Sequence, residues 1–128
     1  MLKLHRLWLA TGWLLIALVV YLSLTPSPPT PLTFDNSDKL EHALSYMVLS
    51  FWFCQLYRLP QARLVVIIAL TGLGVALEYV QGWTGYRSFD VLDMLADSVG
   101  IALGWLLVLT PLGGLLAVID RRVARINY

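Results

Sequence analysis

Four long apolar stretches constrain the fold of this chain more than any other feature of its sequence. They cover residues 7–24, 39–57, 64–82 and 91–110. An α-helix needs about 20 mostly apolar residues to cross the hydrocarbon core of a bilayer, and each stretch is close to that length. Only 13% of the residues are charged, whereas soluble domains average about a quarter. The sequence therefore predicts an all-α protein, a four-helix transmembrane bundle made by one domain over residues 1–128.

The two segments next to the bundle have their own patterns. A proline-rich stretch, residues 25–29, follows the first span, which we expect to be an uncleaved anchor. After residues 110–114, apolar residues recur at helical spacing, with arginines on the other face. That pattern is typical of a short C-terminal amphipathic helix lying along the inner membrane surface. A fourth span displaced to residues 99–119 is the alternative that the sequence leaves open.

The orientation follows from the basic residues. Seven of the nine lie on one side of the predicted spans: Lys3, Arg6, Arg58, Arg63, Arg121, Arg122 and Arg125. Because loops rich in lysine and arginine stay in the cytoplasm, this count predicts that both termini are cytoplasmic. Acidic residues show the opposite distribution, and only Asp120 lies on the inner side.

Side chains that could bind or react gather at the outer ends of the predicted helices. In the second and fourth helices they follow i, i+3, i+7 spacing, which places them on one face. The candidate ligand-binding residues are Asp38, Lys39, His42, Tyr46, Glu78, Gln81, Arg87, Asp90, Asp93 and Asp97. Gly100 and Gly104 continue the stripe on the fourth helix, and glycines four apart let another helix approach closely. We expect these carboxylates to face neighbouring helices, and oligomerisation through the two glycines is a further option.

Helix capping is an equally good explanation for several of these carboxylates. Asp38 and Asp90 are suitable N-cap residues, with Glu41 and Asp93 three positions later. A single histidine such as His42 is more often structural than a ligand. Capping and binding therefore remain alternatives at these positions.

Glu78 and Asp97 are harder to explain by capping. Asp97 lies about two turns into the fourth helix, and Glu78 lies near the C-terminal end of the third, where the helix dipole disfavours negative charge. A carboxylate inside the bilayer needs a cation, a hydrogen-bond partner or a proton. Arg87, Lys39 and His42 are the cations on that side, so we predict a network that links them to Glu78 and Asp97.

Read together, these residues resemble the VanZ-like family of small bacterial integral membrane proteins. The resemblance rests on three motifs: Asp38-Lys39-Leu40-Glu41-His42 with Tyr46; Glu78-Tyr79-Val80-Gln81; and Arg87-Ser88-Phe89-Asp90 with Asp93, Asp97 and Gly100. Asp97 stands where the family usually has asparagine, which adds a charge. The resemblance implies a multi-pass protein of the bacterial cytoplasmic membrane. The founding member is linked to low-level teicoplanin resistance, and no residue ties this chain to that role.

Three functions fit these observations. The first is binding of a lipid-linked or glycan headgroup at the outer face, as part of the cell envelope. The second is an enzyme on such a substrate, with Glu78, Asp97 and His42 as the best acid–base candidates. The third is a small ion- or proton-coupled transporter. The spacing matches no specific metal motif, so the sequence assigns neither a metal site nor a cofactor, although a divalent cation among the carboxylates stays open. The few basic residues form no nucleic-acid surface.

Overall fold

A computed structural model describes residues 1–126 of the chain. Over these residues the protein is all-helical and has no strand. Its elements are α1 (His5–Leu24), α2 (Ser37–Leu56), α3 (Pro60–Thr84), α4 (Val91–Val108), a 3₁₀ turn (Pro111–Gly114) and α5 (Leu115–Ile126). The four long helices cover the four apolar stretches, and α5 covers the amphipathic segment.

The helix limits follow from local chemistry. α3 begins at Pro60, where the missing N–H costs nothing, and ends at Thr84. The next residue, Gly85, terminates it in the left-handed region with a φ of 78°. Asp90 is the N-cap of α4 and accepts the Leu92 N–H at 2.9 Å. α4 stops at Val108 because Pro111 begins the 3₁₀ turn. The alternative of a fourth helix over residues 99–119 is therefore wrong.

Consecutive long helices run in opposite directions, so the chain has two distinct ends. At the charged end, Lys39 of α2 lies against Asp90 at the start of α4, and Gln81 of α3 lies against Ser23 of α1. At the basic end, the first turn of α5 packs on the last turn of α2, where the Leu116 N–H donates to Gln55 Oε1 at 2.8 Å. All predicted site residues except the more central Tyr46 lie near the charged end.

The closest packing is between α2 and α4. A Cβ on Gly100 would overlap the backbone carbonyl of Ala43, and a Cβ on Gly104 would lie 2.8 Å from the Phe51 nitrogen. The Ser50 hydroxyl crosses the same interface and donates to the Ile101 carbonyl at 2.8 Å. The glycine stripe is therefore a helix interface, as its spacing predicted. Because α2 of the same chain covers it, a second copy would have to displace α2 to reach these glycines.

The outer faces of the helices are apolar. Trp13, Leu14, Val65, Ile68 and Leu95 are each at least 60% exposed. Soluble monomers rarely expose apolar patches of this extent. Over residues 1–126, α1, α3 and α4 are long and apolar enough to cross a membrane, whereas α2 carries charges in its first turns. Together these features indicate a membrane protein.

Asp120 joins α5 to the beginning of the chain. Its carboxylate is 1% exposed and accepts three hydrogen bonds, from the backbone N–H groups of Lys3 (2.7 Å) and Leu4 (2.8 Å) and from the indole N–H of Trp8 (2.7 Å). Burial alone would raise the pKa of Asp120, but these donors outweigh it and hold the pKa below its ordinary value. The sequence identifies Asp120 as the one acidic residue on the predicted inner side, but does not predict these contacts.

This depressed pKa predicts how stability depends on pH. Asp120 stabilises the fold above its unfolded pKa, near 3.8, and that contribution is lost as the pH falls through the lower folded value. We therefore expect the melting temperature of the detergent-solubilised protein to fall more steeply from pH 5 to pH 3 than that of Asp120→Asn, which cannot titrate there. Parallel pH profiles for the two proteins would contradict this assignment.

Candidate functional site

Lys39 is the cation at the centre of the charged end. Its Nζ lies 2.5 Å from Asp90 Oδ2, 2.6 Å from Asp93 Oδ1 and 3.0 Å from Asp38 Oδ2. The Lys39 ammonium, together with the Leu92 N–H, holds the pKa of Asp90 below its ordinary value. One lysine of α2 thus neutralises part of the negative charge in the first turn of α4.

His42 lies one turn further into α2, between two carboxylates of α4. Its Nδ1 is 2.8 Å from Asp97 Oδ1, and its Nε2 is 3.6 Å from Asp93 Oδ2. Asp97 is 3% exposed, and it fits against α3 because Gly74 has no side chain there; an added Cβ would lie 2.8 Å from Asp97 Oδ2. Gly74 therefore makes room for Asp97 at the site. It was not among the residues predicted from the sequence, although it lies one turn before Glu78 on the same helix.

Glu78 brings α3 into the same group of side chains. It is 1% exposed, and its Oε2 accepts the backbone N–H of Asp90 at 3.1 Å. None of the ion pairs found within residues 1–126 includes Glu78. The structure thus brings together six residues, hereafter the carboxylate cluster: Lys39, His42, Glu78, Asp90, Asp93 and Asp97. Asp38 lies at its exposed rim.

Arg87 and Gln81 point away from this cluster, toward the C-terminal end of α1. Arg87 Nη1 donates to the carbonyls of Thr25 at 2.9 Å and Leu22 at 3.3 Å, and Gln81 Nε2 donates to that of Ser23 at 2.8 Å. The last carbonyls of a helix have no partner within it, so these donors satisfy them. The predicted pairing of Arg87 with Glu78 and Asp97 is wrong, whereas the contacts of His42 with Asp97 and of Lys39 with α4 are present.

The two predicted helix caps have different outcomes. Asp90 caps α4 as expected, but the N-cap of α2 is Asn36, with φ of 59° and no side-chain hydrogen bond to the helix. Asp38 instead lies inside the first turn. Glu41 accepts the Leu32 N–H at 3.3 Å, so it holds the preceding loop and not the helix start.

A cavity of about 390 Å³ lies beside the carboxylate cluster, between α1, α2 and the loop that joins them. One wall, from α2, α3 and the segment after α3, is mostly polar and consists of Glu41, His42, Leu44, Ser45, Tyr46, Gln81 and Arg87. The other wall, from α1 and the loop after it, is mostly apolar and consists of Val19, Leu22, Ser23, Pro28, Pro29, Pro31 and Leu32. His42 belongs to both the cavity and the cluster. The proline content of this segment indicates a loop after the first span, but gives no sign that the loop forms part of a cavity wall.

Comparison with known proteins agrees with the motifs. The VanZ/LLP1 family model matches residues 12–117, which include the whole carboxylate cluster and cavity. An uncharacterized protein of the fission yeast Schizosaccharomyces pombe is 29% identical over 102 residues, which is 77% of this chain and 60% of that protein. The chain thus spans less than two thirds of the length of this relative. No solved structure matches the chain. With the family match covering most of the chain and all three motifs, the protein belongs to the VanZ/LLP1 family.

Proposed function

We propose that this protein crosses a cell membrane four times, with both termini in the cytoplasm, and binds the polar headgroup of a lipid or lipid-linked precursor in the cavity at its charged end. The observation that carries the proposal is that the cavity has one mostly apolar wall and one mostly polar wall. An amphiphile has the same division, because its headgroup is polar and its chains are apolar.

The four crossings are proposed from packing as well as composition. α2 is the one long helix without a span-like composition, yet it packs along α4 more closely than any other pair. Its charged residues lie at one end, where Lys39 is already paired with Asp90 and Asp93. We place this end outside, because the other end carries seven of the nine basic residues. Family resemblance favours a bacterial cytoplasmic membrane, while the fission-yeast relative shows that similarity alone does not fix the organism.

The polar wall suits an anionic headgroup with hydroxyl or amide substituents. Arg87 is the cation of this wall. Both hydrogen bonds from its side chain to the end of α1 come from Nη1, which leaves Nε and Nη2 for a phosphate or carboxylate. Glu41 and Tyr46 add groups that can accept or donate hydrogen bonds to a sugar or an amine. Lys39 belongs to the carboxylate cluster and takes no part in this wall.

Filling the cavity should remove the bound lipid. Ser45 lines the cavity and bonds the carbonyl four residues before it, so Ser45→Phe adds volume without removing a contact between helices. We expect lipid mass spectrometry on protein purified in mild detergent to find a specific lipid that falls at least about tenfold in Ser45→Phe, equivalent to 1.4 kcal/mol of binding free energy. Arg87→Ala should reduce it as well.

Ser98→Phe is the matched control. Ser98 also bonds the carbonyl four residues before it, but it is exposed on α4 and away from the cavity. This variant should keep the lipid content of the wild type. Equal lipid content in Ser45→Phe, Ser98→Phe and wild type, with all three folded, would contradict the headgroup proposal.

An enzyme acting on the bound lipid is the second candidate. It is favoured by His42, which borders the cavity and pairs with Asp97, the arrangement of a base and its orienting carboxylate. If the protein is an enzyme, the lipid bound to His42→Gln should differ chemically from the lipid bound to wild type, because turnover has stopped. The same lipid in both proteins would favour binding alone.

A further inference from the structure

We propose that the carboxylate cluster is a binding site for a divalent transition-metal ion, with His42 Nε2, Glu78 and Asp93 as ligands and Asp97 as the residue that orients His42. The site is distinct from the lipid cavity, although His42 borders both. It does not depend on the proposed headgroup, since Glu78, Asp93 and Asp97 do not line the cavity and His42 alone is shared.

The geometry of the three ligands comes first. One ligand atom from each of His42, Glu78 and Asp93 lies within 4.8 Å of the other two. Around a zinc ion with bonds of about 2.0–2.2 Å, ligand atoms are separated by about 3–4 Å. Side-chain rotations that move the ligand atoms by about 1 Å would bring these separations to the values found around zinc. The three ligands come from α2, α3 and α4, whose backbones are fixed by helix packing.

The Asp97 contact gives His42 the correct tautomer. Asp97 Oδ1 lies 2.8 Å from Nδ1, and a carboxylate oxygen accepts, so Nδ1 carries a hydrogen. In the neutral ring that a metal ligand requires, Nε2 then has the free lone pair. Nε2 is the nitrogen nearer Asp93. A carboxylate that holds the second nitrogen of a ligating histidine recurs in metal sites, where it fixes the ring and strengthens the ligand.

Charge supplies an independent argument. Glu78, Asp93 and Asp97 are each less than 9% exposed, and a buried carboxylate requires a compensating charge or proton. Lys39 contacts Asp93 but not Glu78, and the other Glu78 oxygen, Oε1, has no hydrogen bond to any residue from 1 to 126. A cation placed between Glu78 and His42 would compensate the buried carboxylate of this cluster that takes part in no ion pair.

The ligand set also indicates which metal fits. Mg²⁺ and Ca²⁺ prefer oxygen ligands only, whereas imidazole favours transition metals. One imidazole with two carboxylates suits Zn²⁺ or Mn²⁺. Lys39 occupies Asp93 Oδ1 and Asp90, so three protein ligands are available and further positions would be filled by water.

Metal titration of the full, untagged chain in detergent tests the proposal. Zn²⁺ or Mn²⁺ alone is added to metal-free protein in competition with a chromogenic chelator. We expect one tight site in wild type. Asp97→Asn should weaken it about 10- to 100-fold, as is usual when an orienting partner is lost, and His42→Gln or Glu78→Gln should weaken it further.

His5→Gln is the matched control, because His5 is the other histidine in the sequence and lies at the start of α1, away from the cluster. Its affinity should equal that of wild type. The proposal is overturned if wild type binds neither metal more tightly than Glu78→Gln, or if His5→Gln weakens binding as much as His42→Gln.

A measurement on the wild type alone tests the proposal even if the variants fail to fold. X-ray absorption of the zinc-loaded protein should show nitrogen and oxygen ligands with one imidazole. A sulfur ligand from Cys54, or two imidazoles, would overturn the assignment. Lipid content is measured separately on the same wild-type protein. Wild type that binds a specific lipid but no metal rejects only the metal site, and wild type that binds metal but no specific lipid rejects only the headgroup site.

Discussion

Gly100→Leu is expected to abolish most of the folded protein, because it places a side chain where the α2 backbone already lies. A Cβ alone would overlap the Ala43 carbonyl, and a backbone atom cannot rotate aside as a side chain can. Adding atoms to a packed interface usually costs about 1–3 kcal/mol, and we expect the upper end of this range or more here. The same displacement would separate His42 from Asp97, since Gly100 lies one turn below Asp97.

Gly72→Leu is the control for this substitution. Gly72 is exposed on α3, and a Cβ there meets nothing within 4 Å. Since leucine favours helix by up to about 1 kcal/mol over glycine, this variant should be as stable as wild type or slightly more so. Size-exclusion chromatography and thermal unfolding in detergent compare the three proteins. A Gly100→Leu protein that elutes and melts like Gly72→Leu would show that α2 and α4 do not pack as described.

Asp120→Ala has the second largest expected effect. Three donors, the N–H groups of Lys3 and Leu4 and the Trp8 indole, lose their acceptor at once. These donors are partly buried, and a hydrogen bond to a charged group contributes about 1.5–3 kcal/mol, so we expect a loss of about 3 kcal/mol in the free energy of unfolding. Asp120→Asn keeps one side-chain oxygen as acceptor and should lie between wild type and alanine.

Hydrogen exchange localises this effect. The amides of residues 3–8 should lose protection in Asp120→Ala, whereas those of α4 near Asp97 should keep it, because the charged end is unchanged. Asp35→Ala, which removes an exposed carboxylate from the loop before α2, is the control and should leave both regions protected. Unchanged protection of residues 3–8 in Asp120→Ala would contradict the role given to this side chain.

Much of the architecture was predictable because it depends on local properties of the sequence. Runs of about 20 apolar residues have one stable form in a membrane, so all four long helices appear where the runs are. The glycines at positions 100 and 104 predicted a close helix contact, and the i, i+3, i+7 spacing predicted which carboxylates face inward. The sequence left two ranges open for the fourth helix, 91–110 and 99–119. Only the 3₁₀ turn that begins at Pro111 shows that the helix does not continue past it.

Arg87 and Asp120 show what the sequence could not provide. Both were assigned by charge, and both instead bind backbone groups at the ends of α1. An unsatisfied carbonyl or N–H at a helix end is common to every helix, so composition gives no sign of which side chain will reach it. The cavity was missed for a similar reason. Four residues of its apolar wall, Pro28, Pro29, Pro31 and Leu32, come from the loop between α1 and α2, whose position the sequence does not reveal.

The contact between Asp120 and the segment ahead of α1 also sets an order for biogenesis. α1 leaves the ribosome well before α5, because the acceptor for the N–H groups of Lys3 and Leu4 is made more than a hundred residues later. Membrane insertion of the early helices can precede that moment, yet the start of α1 reaches its final state only when α5 has been translated. A bulky group attached next to Lys3 would therefore perturb the last stage of assembly, not the first.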